Sequence, residues 1–216
     1  MNAELVLKAE AFLKETFAAS EYLQNNPSNR DYRLEHSYRV ANLAKTIAEK
    51  EGMNVTNAVI AGLLHDIAYF EEMSTREDWK NHGRKSASFA RPFLKSLGLP
   101  ECDVEDICYS IAIHVDDEAD FIWQRTSFSE IVGDADNMDR FDTYRIYETL
   151  QSTKFSEKNL SEKKQAVCSM LEQLHHLRDV PFGSNTADTI WKQRLDFYIS
   201  YYEKLDSQLD HSGSVL

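Results

Sequence analysis

The residues best suited to chemistry in this sequence are a histidine and an aspartate at the end of an apolar segment. His65 and Asp66 directly follow the run AVIAGLL at residues 58–64. A helix over this run would bury both side chains, and a buried charge is costly unless a partner compensates it. A neutral imidazole next to a carboxylate is a common donor pair for a metal ion. The pair therefore predicts a metal site and, with it, an enzyme.

Further potential ligands lie at or near the apolar faces of other predicted helices. His36 and His114 fall on such faces, Asp136 lies at the edge of one, and His82 opens a helix. Each has an ordinary explanation when taken singly, such as a core histidine bonded to a backbone carbonyl or a surface charge. Together they supply inward-facing imidazole and carboxylate groups, which suit a first-row divalent metal. The remaining histidines are expected to be solvated or to cap helices: His175, His176 and His211.

The composition predicts an all-α protein. Its 216 residues include only 7 glycines and 4 prolines, and 42% of them are hydrophobic. A scarcity of turn-forming residues favours long helices over many short strands. The apolar spacing predicts helices over residues 3–23, 33–50, 55–67, 83–97, 104–115, 144–151, 161–178 and 186–208, with one more that begins near Ser127 and carries Asp136.

Two segments between these helices show no clear period. Residues 25–31 contain Pro27 and two adjacent asparagines, which predict a loop. Residues 69–82 are predicted to form a longer loop that acts as a lid or a binding loop, because it follows the candidate site. The chain is assigned to one domain over residues 1–210, with a core at about 30–145 and C-terminal helices at about 146–208. Residues 211–216 are predicted to form a frayed tail after it.

Charge and cysteine content limit the classes of function. The formal net charge of −12 disfavours binding to duplex nucleic acid, whereas a metal and nearby cations still allow an anionic small substrate. Cys102, Cys108 and Cys168 form no CxxC pair, which predicts free thiols in a reducing compartment. Neither a signal peptide nor an apolar run of membrane length is visible. We therefore expect a cytoplasmic protein with no membrane association.

Three stretches of the sequence resemble the HD-domain superfamily of metal-dependent phosphohydrolases, in its small bacterial single-domain form. They are EHSYRVANLA at 35–44, AGLLHDI at 61–67 and IVGDADNMD at 131–139. The likeness covers about residues 30–145, and residues 185–205 resemble the closing helix of small bacterial members. The resemblance implies a helical bundle with extra C-terminal helices.

The resemblance also implies a ligand set for divalent metal, with Mn, Fe, Mg, Ni, Co or Zn as candidates. Four residues match the family's metal ligands: His36, His65, Asp66 and Asp136. Asp136 is chosen over Asp134 because the family's ligand directly follows the alanine. His82 and His114 match positions that hold a second metal in binuclear members and face the phosphate in some mononuclear ones. One ion and two ions per chain both stay open.

The implied activity is cleavage of a phosphate ester or anhydride of a small molecule, with a nucleotide as the favoured substrate. Asp66 would bind metal and orient the attacking water, and His82 would act with it at the phosphate. Substrate contacts are assigned to three cations: Arg33, Lys85 and Arg140. A base could stack on one of three aromatic rings: Tyr69, Phe70 or Trp79. The segment IAYF at 67–70 departs from the Glu-Asp pair of alarmone hydrolases, which speaks against that substrate.

Two other functions stay open. Some members of the superfamily with a similar six-ligand pattern hold two irons and oxidise a carbon centre with O₂. The third alternative is a non-catalytic, metal-stabilised module that binds a nucleotide. The aromatic C-terminal helix is expected to pack either on the core or on a second subunit, which would make a homodimer.

Overall fold

Ten α-helices and three short 3₁₀ turns make up the regular structure of residues 1–214, which are the residues that the computed structural model describes. No strand is found among these residues, so the predicted all-α class is confirmed. None of their helices has both the length and the apolar character that a membrane span requires. The helices are α1 (Ala3–Ala19), α2 (Glu21–Asn25), α3 (Pro27–Glu51), α4 (Val55–Leu64), α5 (Arg76–Ser96), α6 (Glu101–Ile113), α7 (Ile131–Asp139), α8 (Thr143–Ser152), α9 (Leu160–His176) and α10 (Asn185–Asp210).

The chain divides into two compact units, residues 1–137 and residues 138 onward. The first contains α1 to α6 and most of α7, and the second contains α8 to α10. The assignment of residues 1–210 to a single domain stays a prediction. Within the predicted tail, His211 caps the end of α10, whereas Val215 and Leu216 lie outside the described residues.

Helix α4 forms the apolar centre of the first unit. Every residue from 57 to 69 is buried, and α4 packs against α1, α3 and α6. Its start is fixed by Asn54, whose side chain accepts hydrogen bonds from the backbone N–H groups of Thr56 and Asn57. A helix buried on all sides can end only where polar groups find partners, and α4 ends directly before the His65–Asp66 pair.

Several boundaries differ from those expected from the sequence. Ser20 separates α1 from α2 because its hydroxyl caps α2 through the backbone N–H of Leu23, so the single helix predicted over 3–23 is wrong. The loop predicted over 25–31 is also wrong, since Pro27 occupies the first turn of α3, where its missing N–H costs nothing. A proline can therefore mark the first turn of a helix as well as the end of one.

The lid predicted over residues 69–82 is mostly helical. A 3₁₀ turn covers Ile67–Phe70, and α5 begins at Arg76, seven residues before the predicted start. Thr75 and Asp78 form a capping box, in which each side chain accepts the backbone N–H of the other residue. This spacing was present in the sequence and locates the true start of the helix that carries His82.

The second unit has an aromatic core. The indole of Trp191 on α10 is buried, and its ring centre lies 4.8 Å from that of Phe141 and 4.9 Å from that of Phe182. Tyr198 and Tyr202 continue this face about two and three turns further along α10, with ring centres 5.6 Å apart. The apolar face predicted for the last helix is therefore buried within this unit.

Loss of the capping hydroxyl should destabilise the start of α5. We expect Thr75→Ala to lower the free energy of unfolding by about 1 kcal/mol, because the backbone N–H of Asp78 loses its acceptor. Thr75→Ser keeps a hydroxyl and should stay within about 0.3 kcal/mol of the original protein. Urea unfolding followed by circular dichroism measures both. Equal stabilities for the alanine and serine variants would contradict the role given to the capping box.

Candidate metal centre

The end of α4 turns both members of the His65–Asp66 pair toward one place. His65 keeps helical backbone angles, and its Nδ1 lies 2.8 Å from the carbonyl oxygen of Gly62. Asp66 leaves the helix with φ −105° and ψ 16°, in the bridge region between helix and strand. Adjacent residues in a continuous helix point about 100° apart, so this change of backbone angle is what allows both side chains to face one centre.

Two serines hold the turn that follows the pair. The hydroxyl of Ser86 on α5 accepts the backbone N–H of Ala68 at 3.1 Å. The hydroxyl of Ser20 donates to the carbonyl oxygen of Phe70. Both serines are buried. Helices before and after the pair in sequence therefore fix its exit from α4.

The first group of donors surrounds the Oδ2 atom of Asp66. The Nε2 atoms of His36 and His65 lie 3.2 Å apart. Oδ2 of Asp66 lies 3.5 Å from the first of these nitrogens and 3.6 Å from the second. Asp136 on α7 adds its Oδ1, which lies 3.1 Å from Nε2 of His36. These distances bring together the four predicted ligands, one of them shared with the second group.

The second group surrounds the other oxygen of Asp66. Its Oδ1 lies 3.1 Å from Nε2 of His82 and 3.7 Å from Nε2 of His114, and these two nitrogens are 3.1 Å apart. Backbone carbonyls orient both rings through the nitrogen opposite Nε2. Nδ1 of His82 contacts the carbonyl oxygen of Trp79, and Nδ1 of His114 contacts that of Ile111. Asp66 is thus the common member of two donor groups.

Burial and charge control protonation at the centre. Burial lowers the pKa of His65 to about 4, so its ring is neutral at neutral pH. Burial alone would raise the pKa of Asp66, but the surrounding histidines and Arg33 lower it well below the usual value, so this carboxyl is ionised. Burial lowers the pKa of His114, but the nearby Asp66 and Asp136 carboxylates together raise it more, so the net shift is upward.

The donor chemistry fits divalent metal. Three of the rings direct Nδ1 at a backbone carbonyl, which in the neutral tautomer leaves a lone pair on Nε2: His65, His82 and His114. The Nε2 atoms of His82 and His114, which lie 3.1 Å apart, then have no shared proton to join them. Oδ1 of Asp66 is buried and accepts no hydrogen bond. A cation in each group would satisfy these lone pairs, and the described residues contain two such ligand groups, one on each side of Asp66.

Arg33 takes a position that the sequence did not foresee. Its Nη1 donates to Oδ2 of Asp66 at 2.9 Å, and its guanidinium carbon lies 3.3 Å from the centre of the Tyr69 ring. Tyr69 is only 7% exposed and is covered by this guanidinium, so its ring face is taken by Arg33. Both residues had been noted separately, but their contact joins positions 36 residues apart and leaves no local signal.

The other predicted substrate contacts are arranged differently. Lys85 is 43% exposed and bonds the carboxylate of Asp78 at 3.1 Å. Its neighbour Arg84 pairs with Asp116 at 2.8 Å. Arg140 belongs to the second unit, and its assignment stays a prediction. Trp79 is 45% exposed and remains the most accessible of the three rings proposed for stacking.

Comparison with known proteins gives one family. Residues 33–144 match the family described as HD domain. Among solved structures, a predicted HD superfamily hydrolase from an uncultured Thermotogales bacterium is 20% identical, with a TM-score of 0.63 over 96% of this chain and 92% of that one. Bacillus subtilis YpgQ is 20% identical with a TM-score of 0.62, and YpgQ in complex with ADP is 18% identical with a TM-score of 0.60, each over 95% of both chains. At these identities the likeness concerns the fold. No curated protein matches the sequence significantly.

Removal of the Arg33 guanidinium should destabilise the metal-free protein. Arg33→Ala leaves Oδ2 of the buried Asp66 without its charged donor, and we expect the free energy of unfolding in EDTA to fall by about 2 kcal/mol. Arg30→Ala is the matched control on the same helix. Because the Arg30–Asp31 pair is exposed, its loss should cost less than about 0.5 kcal/mol. Equal losses in the two variants would show that the Arg33–Asp66 contact contributes nothing specific.

Proposed function

The chain belongs to the HD domain family, and on this basis we propose that it is a metal-dependent phosphohydrolase. The substrate class is a phosphate ester or anhydride of a small molecule, with a nucleotide favoured. The observation that carries the proposal is the buried Asp66 carboxylate, whose two oxygens face two separate histidine pairs. The complex of YpgQ with ADP supports the nucleotide preference.

We propose two divalent ions per chain, with Asp66 as the shared ligand. His36, His65 and Asp136 complete one site, and His82 and His114 complete the other. The abundance of imidazole favours Mn, Fe, Co, Ni or Zn over Mg, which prefers oxygen ligands in octahedral geometry. Metal at this place would also neutralise a buried carboxylate whose charged donor within the protein is Arg33.

The proposed cleavage of a phosphate bond depends on metal, Asp66, Arg33 and His82. Bound divalent metal lowers the pKa of a coordinated water and polarises a phosphoryl oxygen. Asp66 would bind the metal and orient the attacking water through its carboxylate, which Arg33 holds in place. Arg33 keeps a positive charge beside Asp66, and its Nε is buried without a hydrogen-bond partner, so it has donor capacity left for a phosphate oxygen. His82 lies on the same side of Asp66 as His114 and would act at the phosphate through the second ion.

The enclosure of the site explains how an acidic protein can take an anionic substrate. The net charge of −12 belongs to the whole surface. His36, His65, His82 and Asp66 are buried, so bound metal and Arg33 would act on the substrate more strongly than distant surface carboxylates do. The homodimer and the cytoplasmic location remain predictions.

Replacement of either member of the His65–Asp66 pair should abolish turnover. The protein is incubated with Mn²⁺, Co²⁺, Ni²⁺, Fe²⁺ or Mg²⁺, and release of phosphate and pyrophosphate is measured over a panel of nucleotides and other phosphate esters. We expect His65→Ala and Asp66→Ala to lower the rate at least about 1,000-fold and to lower bound metal, because both residues bind the ions directly. His175→Ala is the control, since this histidine is exposed in the second unit.

The same measurement separates the alternatives. Activity and metal content at the original level in both variants would refute the site. Tight nucleotide binding without any product would favour the binding module, and O₂-dependent oxidation with spectroscopically coupled iron would favour the oxygenase.

The second donor group should hold one ion independently. We expect two ions per chain in the original protein and one in His82→Ala and in His114→Ala, because each variant removes one of only two imidazoles from that group. Metal is counted after gel filtration by plasma mass spectrometry. A single ion in the original protein, or an unchanged count in both variants, would show that these histidines face the substrate instead.

A further inference from the structure

Each histidine pair of the metal centre is brought together by one pair of helices. His36 on α3 faces His65 at the end of α4, and His82 on α5 faces His114 at the end of α6. Helices α3 and α4 pack extensively, as do α5 and α6. In each pair, one glycine lies where an added Cβ atom would meet the backbone of the partner helix.

Gly62 lies at the contact between α4 and α3. A Cβ atom at this position would lie 2.7 Å from Cα and 2.9 Å from the backbone nitrogen of Ala41. Ordinary carbon contacts are about 3.5 Å or longer, so the two backbones would have to separate. Gly62 is three residues before His65 and also accepts its Nδ1, while Ala41 is little more than one turn after His36. The close contact therefore controls the separation of this histidine pair.

Gly83 lies at the matching contact between α5 and α6. Its Cβ would lie 2.7 Å from the carbonyl oxygen of Ala112, 3.0 Å from that of Ile111 and 3.1 Å from Nδ1 of His114. The carbonyl of Ile111 is the one that orients the ring of His114. A methyl group here would press on the second histidine pair from its backbone side.

Neither glycine is needed for the shape of its own backbone. The positive φ angles among the described glycines belong to Gly52 and Gly98, outside these contacts. Glycine inside a helix costs about 1 kcal/mol relative to alanine. At Gly62 and Gly83 this cost is offset by the close approach that the missing side chain permits.

We propose that Gly62 and Gly83 are positioning residues that set the two metal sites separately. Gly62 fixes the spacing of His36 and His65, and Gly83 fixes that of His82 and His114. This proposal rests on the metal binding described under the proposed function. An added methyl group at either glycine forces the helices apart and weakens the site of that helix pair, while the other pair keeps its geometry.

The experiment is equilibrium dialysis of each variant against a series of Mn²⁺ concentrations, with helix content followed by circular dichroism. We expect Gly83→Ala to weaken binding of one ion about tenfold or more, the size of effect usually seen when the support of a ligand is lost. Gly62→Ala should weaken the other ion by a similar factor. Gly133→Ala is the matched control, because its Cβ would meet only Cα and the carbonyl oxygen of His114 at 3.8 and 3.9 Å.

A double substitution identifies which site responds. If Gly83 acts only by placing its histidine pair, Gly83→Ala combined with His82→Ala should bind metal no more weakly than His82→Ala alone. With His36→Ala in place of His82→Ala, the two effects should add. Additive losses with His82→Ala would overturn the assignment of Gly83 to that site.

Other outcomes also overturn the proposal. Unchanged metal binding in both glycine variants would overturn it, as would losses equal to that of Gly133→Ala or a single ion in the original protein. Unfolded glycine variants would also overturn it, because the proposal requires the helices to move apart while remaining folded.

Phosphate release is followed in parallel. Two ions with the expected selectivity but no hydrolysis would leave this proposal standing and refute the phosphohydrolase, whereas hydrolysis with unchanged binding in both glycine variants would do the reverse.

Discussion

The buried negative charge of Asp66 is the constraint on which the first unit depends. An ionised carboxylate away from water is strongly unfavourable without compensation. Here Arg33 donates to one oxygen, and the surrounding histidines also lower the pKa of the carboxyl. Because these groups arrive from α3, α4, α5 and α6, the charge can be tolerated only when all four helices are in place.

Apolar and polar groups have separate roles in stabilising this unit. Helix α4 supplies a wholly buried centre against which neighbouring helices pack, so hydrophobic burial carries the stability. Polar groups concentrate at its end, where the helix must terminate anyway. Backbone carbonyls orient three of the imidazole rings. The helix backbones, rather than other side chains, therefore fix the positions of these rings.

Much of this arrangement was readable in the sequence because it follows local rules. The apolar run before His65 predicted a buried helix, and its abrupt end predicted the site. Two helix starts are also encoded locally but not by the apolar period: Thr75 and Asp78 have the spacing of a capping box at the start of α5, and Pro27 suits the first turn of α3. By contrast, the stacking of Arg33 on Tyr69 joins residues that are distant along the chain. Such contacts depend on tertiary packing, which no periodicity encodes.

The serines that hold the turn after Asp66 have a wider consequence. Ser20 and Ser86 bind this turn through uncharged hydroxyls to backbone atoms, and both are buried within the helical core. These hydrogen bonds hold the turn through buried groups and do not involve exposed side chains such as that of Lys85. Outer positions can be exchanged to accept differently shaped molecules while the reactive centre stays intact, so one scaffold can diversify in selectivity without rebuilding its chemistry.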